Sequence, residues 1–288
     1  MQNNNNNNNK TSIDIKGTIT LAVTVTSFLI ALSYTEGENF ITNSQILFFL
    51  SLGTISLVLF VIIEKRSESP LINLGLMTNK IILSSNIILI ITFLTMFTVY
   101  QTIPVLVTSP QPSGFGGDAI TTASIQLPFM IVFLLFAPSS GFIISKLGNL
   151  KPTVIGSMIG SIGFFSLLIF HSTGFLVSIN LAIIAAGLSL TQVGAFNILL
   201  ESTPKKFSGI SLGMTVLFNL IGSSIGPTVA GIQMETNQIS VKDVIGSFPS
   251  PGSYDVIFLT IALISIISIF LAFFIRTRLV LYNIHENK

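Results

Sequence analysis

PTVIGSMIGSIGFFSLLIFHSTGFLVSINLAIIAAGLSLTQVGAFNILL, residues 152–200, runs from Lys151 to Glu201 without one charged side chain. A helix needs roughly 20 apolar residues to cross the hydrocarbon of a bilayer. This stretch is therefore too long for one span and suits two. His171-Ser172-Thr173-Gly174 supplies the turn between them. The same measure, carried outward, predicts eight spans. They fall near 17–34, 44–63, 81–101, 119–144, 152–170, 175–199, 208–232 and 254–275. The expected fold class is all-α, a polytopic membrane protein with about eight transmembrane helices.

Composition agrees. Of 288 residues half are hydrophobic and only 8% are charged, with a mean hydropathy of +0.84. Soluble domains carry about 25% charged residues, so the natural solvent for most of this chain is lipid. The net charge of +2 gives no reason to expect a nucleic-acid partner. Cysteine is absent, and His171 and His285 lack partners at ligand spacing. We therefore expect no disulfide, no metal site, no cofactor and no catalytic constellation, and so no enzyme. The opening MQNNNNNNNK has no apolar face and reads as a disordered segment, 1–12, to which no function is assigned. No apolar core precedes Asp14, so it does not read as a signal peptide.

Loop charges test the span count. Basic residues collect in cytoplasmic loops. With eight spans, one side holds Lys10, Lys16, Lys65, Arg66, Lys80, Lys146, Lys151, Lys205, Lys206, Arg276, Arg278 and Lys288. The other holds Lys242 alone. Both termini are thus expected in the cytoplasm of a cell, with the chain in the cell membrane. Tyr34, Tyr100 and Tyr254 fall at expected outer boundaries, where amphipathic rings settle.

Two motifs resemble the major facilitator superfamily. GFIISKLGNLKP (141–152) places Gly141, Ser145, Lys146, Gly148 and Lys151 on the superfamily's loop pattern G-x-x-x-D-[RK]-x-G-[RK]-[RK]. Ser145 stands where the aspartate should be, and Asn149 takes a basic position. The glycines should allow close approach of two helices and the loop. The lysines should hold to the cytoplasmic side and neutralise helix C-termini. GMTVLFNLIGSSIGPTVAG (213–231) is similar to the antiporter signature G-x8-G-x3-G-P-x2-G-G, carried by Gly213, Gly222, Gly226, Pro227 and Gly231, with Ala230 as its departure. Glycine at such spacing cuts a packing groove, and the proline bends the helix. Gly156-x-x-x-Gly160 reads as ordinary packing.

The resemblance implies a six-helix repeat over 81–280, followed by a cytoplasmic tail, 281–288. An N-terminal repeat should carry R-x-x-Q-G in its fourth helix, where this chain has Ile183 and Ala186 before Gly187. It should often carry an acid in its first helix, and the third span has none. These absences point to a C-terminal repeat. Residues 13–80 resemble the two-helix central insert of the fourteen-helix EmrB/QacA-type drug:proton antiporter branch, through Asp14-Ile15-Lys16-Gly17 and EKRSESPLINLGLMTNK (64–80). The implied partner is a six-helix N-terminal half, from the same gene or a separate chain.

The implied function is secondary active transport: proton-coupled efflux of small lipophilic, drug-like molecules by alternating access. In the family, the first and fourth helices of each repeat face the cavity, and the third and sixth face lipid. Expected cavity residues are Asn86, Tyr100 and Gln101 on the third span, with Phe93 and Phe97 on the same face at 100° per residue. The fourth span adds Gln126, the sixth Asn180, Thr191, Gln192 and Asn197, and the seventh Asn219. Amides in lipid are costly unless paired or wetted, so they mark interiors. Interhelical hydrogen bonding is the alternative use for each of them. No carboxylate falls at mid-membrane; Asp118 is expected to cap the fourth span, and Glu201 sits at a helix end. A coupling acid would have to come from the other half. The alternative for the whole chain is a non-transporting scaffold or an inert truncated fragment.

Overall fold

A computed structural model describes residues 14–34, 44–67, 71–242 and 244–286. The asparagine run lies outside them. The helices are α1 (Ile15–Ser33), α2 (Ser44–Arg66), a single turn α3 (Leu74–Met77), α4 (Lys80–Thr108), α5 (Ala119–Leu147), α6 (Leu150–Ile169), α7 (Gly174–Ser202), α8 (Ser208–Thr236) and α9 (Pro251–Glu286). Eight of them are long and apolar enough to cross a membrane. The protein is an all-α polytopic membrane protein.

Local chemistry sets the boundaries. Asp14, Asn79, Asp118 and Thr173 each accept a backbone N–H from the first turn of α1, α4, α5 and α7, which satisfies donors that a helix start leaves open. Gly148 ends α5 at φ 74° and donates its N–H to the Ile144 carbonyl at 2.7 Å, a left-handed cap suited to glycine.

Two helix ends differ from expectation. The third span was expected to end at 101, but α4 continues through Pro104 to Thr108. Tyr100 therefore lies inside the helix, not at its outer boundary. Tyr254 lies in the first turn of α9, near the expected boundary, and is buried there, donating to the Ser109 hydroxyl at 3.3 Å. The last helix runs on to Glu286, past its expected end near 275 and into the segment expected as a tail. Between α8 and α9, Gln238–Ser240 and Ser247–Pro249 form a short antiparallel hairpin.

Helices α4 to α9 form one bundle. α4 packs on α7, α8 and α9, α6 packs on α7 and α9, and α5 leans on α7. Its largest core joins Ile103, Phe129, Phe164, Leu181 and Phe258 from five helices. Apolar burial does not itself drive helices together in lipid, so close backbone contact matters more. Here Gly156 and Gly160 of α6 interlock with Gly187 of α7. A Cβ on Gly187 would sit 2.2 Å from the Gly160 nitrogen.

Helices α1 and α2 pack chiefly on each other. A cleft of about 220 Å³, lined by Leu21, Val25, Leu217 and Leu220, lies between α1 and α8. The linker 71–77 joins this pair to the bundle, with Ile72 and Leu76 packed beside Phe60, Ile82 and Met214.

Candidate functional site

The shared face of Asn86, Phe93, Phe97, Tyr100 and Gln101 divides along α4. Helix α8 follows the row Asn86–Ile90–Leu94–Thr98: Thr215 donates to the Asn86 amide oxygen at 3.2 Å, Gly222 lies against Ile90, and Gly226 against Leu94 and Thr98. Each step of four residues turns the row by about 40°, so it drifts away from Phe93, Phe97 and Tyr100. Those three stay half-buried, and Gln101 is exposed.

The open row continues as a ladder of aromatic rings. Phe93 stacks on Phe97 at 6.4 Å, Phe97 meets Tyr100 edge-on at 5.5 Å, and Tyr100 meets Phe129 at 5.2 Å. Phe129 then stacks on Phe133 at 5.8 Å. Five rings thus cross from α4 to α5. Sequence reasoning missed Phe129 and Phe133, because a wheel of one helix cannot show which neighbour's rings meet it. The Tyr100 hydroxyl points to the Met130 sulfur at 3.7 Å.

The amides separate into two groups. Asn86 is fully buried, and its Nδ2 also donates to the Ile82 carbonyl at 3.0 Å. Asn180 is buried and donates to the Phe170 carbonyl at 2.8 Å, closing the end of α6. The Thr191 hydroxyl turns back to its own helix at Gly187. These three side chains are engaged in packing. Gln126, Gln192, Asn197 and Asn219 are half-buried. Gln192 Oε1 and Asn219 Oδ1 have no hydrogen-bond partner among the described residues.

Helix α5 exposes Leu127, Ile131, Leu134 and Phe142 along one side, and α8 exposes Leu212, Val216 and Leu220. The two helices flank the α4–α7 face, α5 against α7 and α8 against α4.

The motif residues also divide. Gly222 and Gly226 press on α4, but a Cβ on Gly213 or Gly231 would meet nothing within 4 Å. Pro227 is half-buried inside α8, beside the α4 contact. Gly141 has no close neighbour, against the expected near approach, so the loop glycine with a visible task is Gly148. Ser145 donates to the Phe142 carbonyl at 2.8 Å, and Lys146 lies over the Phe142 ring at 4.3 Å. Lys146 sits in the last turn of α5, as expected, and Lys151 falls in the first turn of α6.

The sequence as a whole decides the family. Residues 17–227, most of the chain, match the Major Facilitator Superfamily. The chain belongs to the major facilitator superfamily. Among similar proteins is the multidrug transporter protein MdtP of Bacillus subtilis, 30% identical over 225 residues, which is 77% of this chain and 40% of that protein. The multidrug resistance protein Stp of Mycobacterium tuberculosis is 25% identical over 66% of this chain and 35% of its own length. The quinolone resistance protein NorB of Staphylococcus aureus is 23% identical over 76% and 47%. This chain thus spans less than half the length of the curated relatives it matches.

Among the described residues the acidic groups sit near helix ends. Asp118 is held below the ordinary carboxylate range, first by the Thr121 N–H and then by the Thr121 hydroxyl. Asp14 is held low as well, first by the Gly17 N–H and then by the Ser67 side chain. Among the described residues no group of three His, Asp or Glu side chains is set to hold a metal ion. Glu64, read from sequence as part of a linker motif, is buried at the end of α2 with 4% exposure.

Proposed function

We propose that this chain is the C-terminal portion of a fourteen-helix, EmrB/QacA-type exporter of small lipophilic molecules, with 13–80 as its central insert and 81–280 as its second repeat. The observation that carries the reading is the half-open aromatic face of α4, flanked by α5 and α8 with their outer apolar sides uncovered. Rings with a few half-buried amides suit apolar, weakly polar cargo, which gains from burial and needs few directional contacts.

In this reading Phe93, Phe97, Tyr100 and Gln101 contact cargo, with Gln126, Gln192, Asn197 and Asn219 at the margins. Asn86, Asn180 and Thr191 hold the wall in place. The lysine-rich ends face the cytoplasm, together with both termini. A complementary six-helix lobe covers α5 and α8, and transport proceeds by rocking of the lobes about the midplane site. The Asp and Glu residues of α4–α9 all lie near helix ends, so the proton-coupling acid belongs to the other lobe.

The test is dye efflux from vesicles that hold this chain with and without a co-expressed six-helix N-terminal lobe. Efflux driven by a pH gradient should need both. Equal efflux from the chain by itself would refute the two-lobe reading.

A further inference from the structure

At mid-height the bundle gathers side-chain hydroxyls from four helices around one small pocket. Thr92 and Thr95 of α4, Ser157 and Ser161 of α6, Thr191 of α7 and Ser265 of α9 line it. Each stands near the middle of its helix, and each is buried, at 5% exposure or less. The pocket measures about 10 Å³, at the lower edge of the room that one water molecule needs. Gly156 and Gly160 also line it; lacking side chains, they leave this room beside the tight α6–α7 contact. Among the described residues no ionisable side chain lines it, so it offers nothing to neutralise an ion. Its ligand must be small, neutral and able to hydrogen-bond.

The hydroxyls set the polarity of the pocket. Five of the six spend their proton on their own helix. Thr92 donates to the Ile88 carbonyl at 2.8 Å, Thr95 to that of Ile91 at 2.9 Å and Ser157 to that of Thr153 at 2.7 Å. Thr191 donates to the Gly187 carbonyl at 2.8 Å, and Ser265 to that of Ala262 at 2.7 Å. A hydroxyl that donates in this way still has a lone pair to offer. Ser161 does not turn back. Its Oγ is buried and has no hydrogen-bond partner among the described residues. An unpaired hydroxyl is costly to bury, and the hydrocarbon around the bundle supplies nothing to pair it. One donor without an acceptor thus stands among acceptors that lack a donor. A molecule that both accepts and donates completes the set.

We propose that this pocket binds one water molecule. The water accepts from Ser161 and donates to two of the hydroxyl oxygens on the helices that face it. A bond through water holds nearly as well as a direct one. The water therefore ties α6 to its neighbours at the level where the hydroxyls of α4, α6, α7 and α9 converge. The site belongs to the bundle itself and does not depend on what the chain exports.

Radiolytic footprinting of the full chain in lipid vesicles detects such a molecule. A brief X-ray pulse splits bound water in place, and the hydroxyl radical oxidises the side chains beside it. Phe164 lines the pocket at 1% exposure; Phe258 is as buried, at 0%, and does not line it. Phe164 should be oxidised well above Phe258. In Ser161→Val, which sets methyl groups in the water's place, its oxidation should fall to the Phe258 level. Equal oxidation of the two rings in the wild type, or undiminished oxidation of Phe164 in the variant, overturns the proposal. Reversible unfolding gives a second readout, through its sign. A paired Ser161 hydroxyl is worth about fivefold in the folded-to-unfolded ratio, whereas an unpaired one is a burden that alanine removes. Ser161→Ala should therefore fall about fivefold below Ser124→Ala, an exposed change on α5 with the same gain in helix propensity. Stability of Ser161→Ala equal to that of Ser124→Ala, or higher, refutes the water site.

Discussion

Alanine at Gly226 should loosen the bundle, while alanine at Gly213 should tighten it, although both glycines belong to one motif. A Cβ at Gly226 would stand 2.4 Å from the Leu94 carbonyl oxygen and 2.9 Å from the Thr98 nitrogen. Carbon–oxygen contacts close to about 3.3 Å, so α4 and α8 must part by about 0.9 Å. The opposing atoms are backbone and cannot swing aside. Overpacking of this kind costs about 1–3 kcal/mol, and a backbone clash belongs at the upper end. Alanine returns about 1 kcal/mol through its helix propensity. The net loss is about 2 kcal/mol, roughly a 30-fold fall in the folded-to-unfolded ratio. Gly213 meets nothing within 4 Å, so only the propensity gain of about 1 kcal/mol remains. Reversible unfolding in mixed micelles, titrated with a denaturing detergent, measures both variants on one scale. If Gly226→Ala proves as stable as Gly213→Ala, the α4–α8 contact is wrong.

Other residues give sharper contrasts. Asn180→Ala leaves the Phe170 carbonyl without its donor; we expect a loss of about 1 kcal/mol in the same unfolding assay and an unchanged cargo profile, so an altered profile would move Asn180 back to the cavity. In the two-lobe transporter, Tyr100→Ala should weaken binding of a lipophilic dye about fivefold or more, the value of an aromatic pair. Tyr100→Phe keeps the ring ladder and should change fluorescence-titrated affinity little; equal losses would mean that the hydroxyl, not the ring, matters. At Asp118 the folded value is depressed, so its contribution to the start of α5 is present above the ordinary carboxylate range and disappears as pH falls through the folded value. The protection of the Thr121 amide, measured relative to intrinsic exchange, should therefore fall in acid, and in Asp118→Ala it should be low throughout.

Charge and hydropathy made the eight helices readable, because lipid demands long apolar runs and the caps at Asp118 and Thr173 are local chemistry. The end of α4 was not readable: Tyr-Gln-Thr-Ile-Pro looks like a boundary, yet Pro104 is tolerated inside the helix. The face of α4 was half readable. A wheel groups Asn86 with Tyr100, but only the crossing of α8 shows that Asn86 is covered and Tyr100 is not. The glycine motif behaved alike: spacing marked Gly213, Gly222, Gly226 and Gly231 as one set, and packing uses two of them. Glu64 was hidden for a related reason. Its burial depends on the linker folding back over α2, which no local pattern announces.

Cysteine labelling offers the most direct check of the open face, because the chain has no cysteine of its own. Single replacements Phe97→Cys, Gln101→Cys, Ile162→Cys and Ile267→Cys, in membranes, are treated with a water-soluble, bilayer-impermeant thiol reagent. The first two lie on the half-open ladder of α4; the last two lie on the outer sides of α6 and α9, at 62% and 49% exposure. Labelling at Phe97→Cys and Gln101→Cys, with silence at the two isoleucine positions, is the predicted pattern. The reverse pattern would place the aromatic face against lipid and contradict the account.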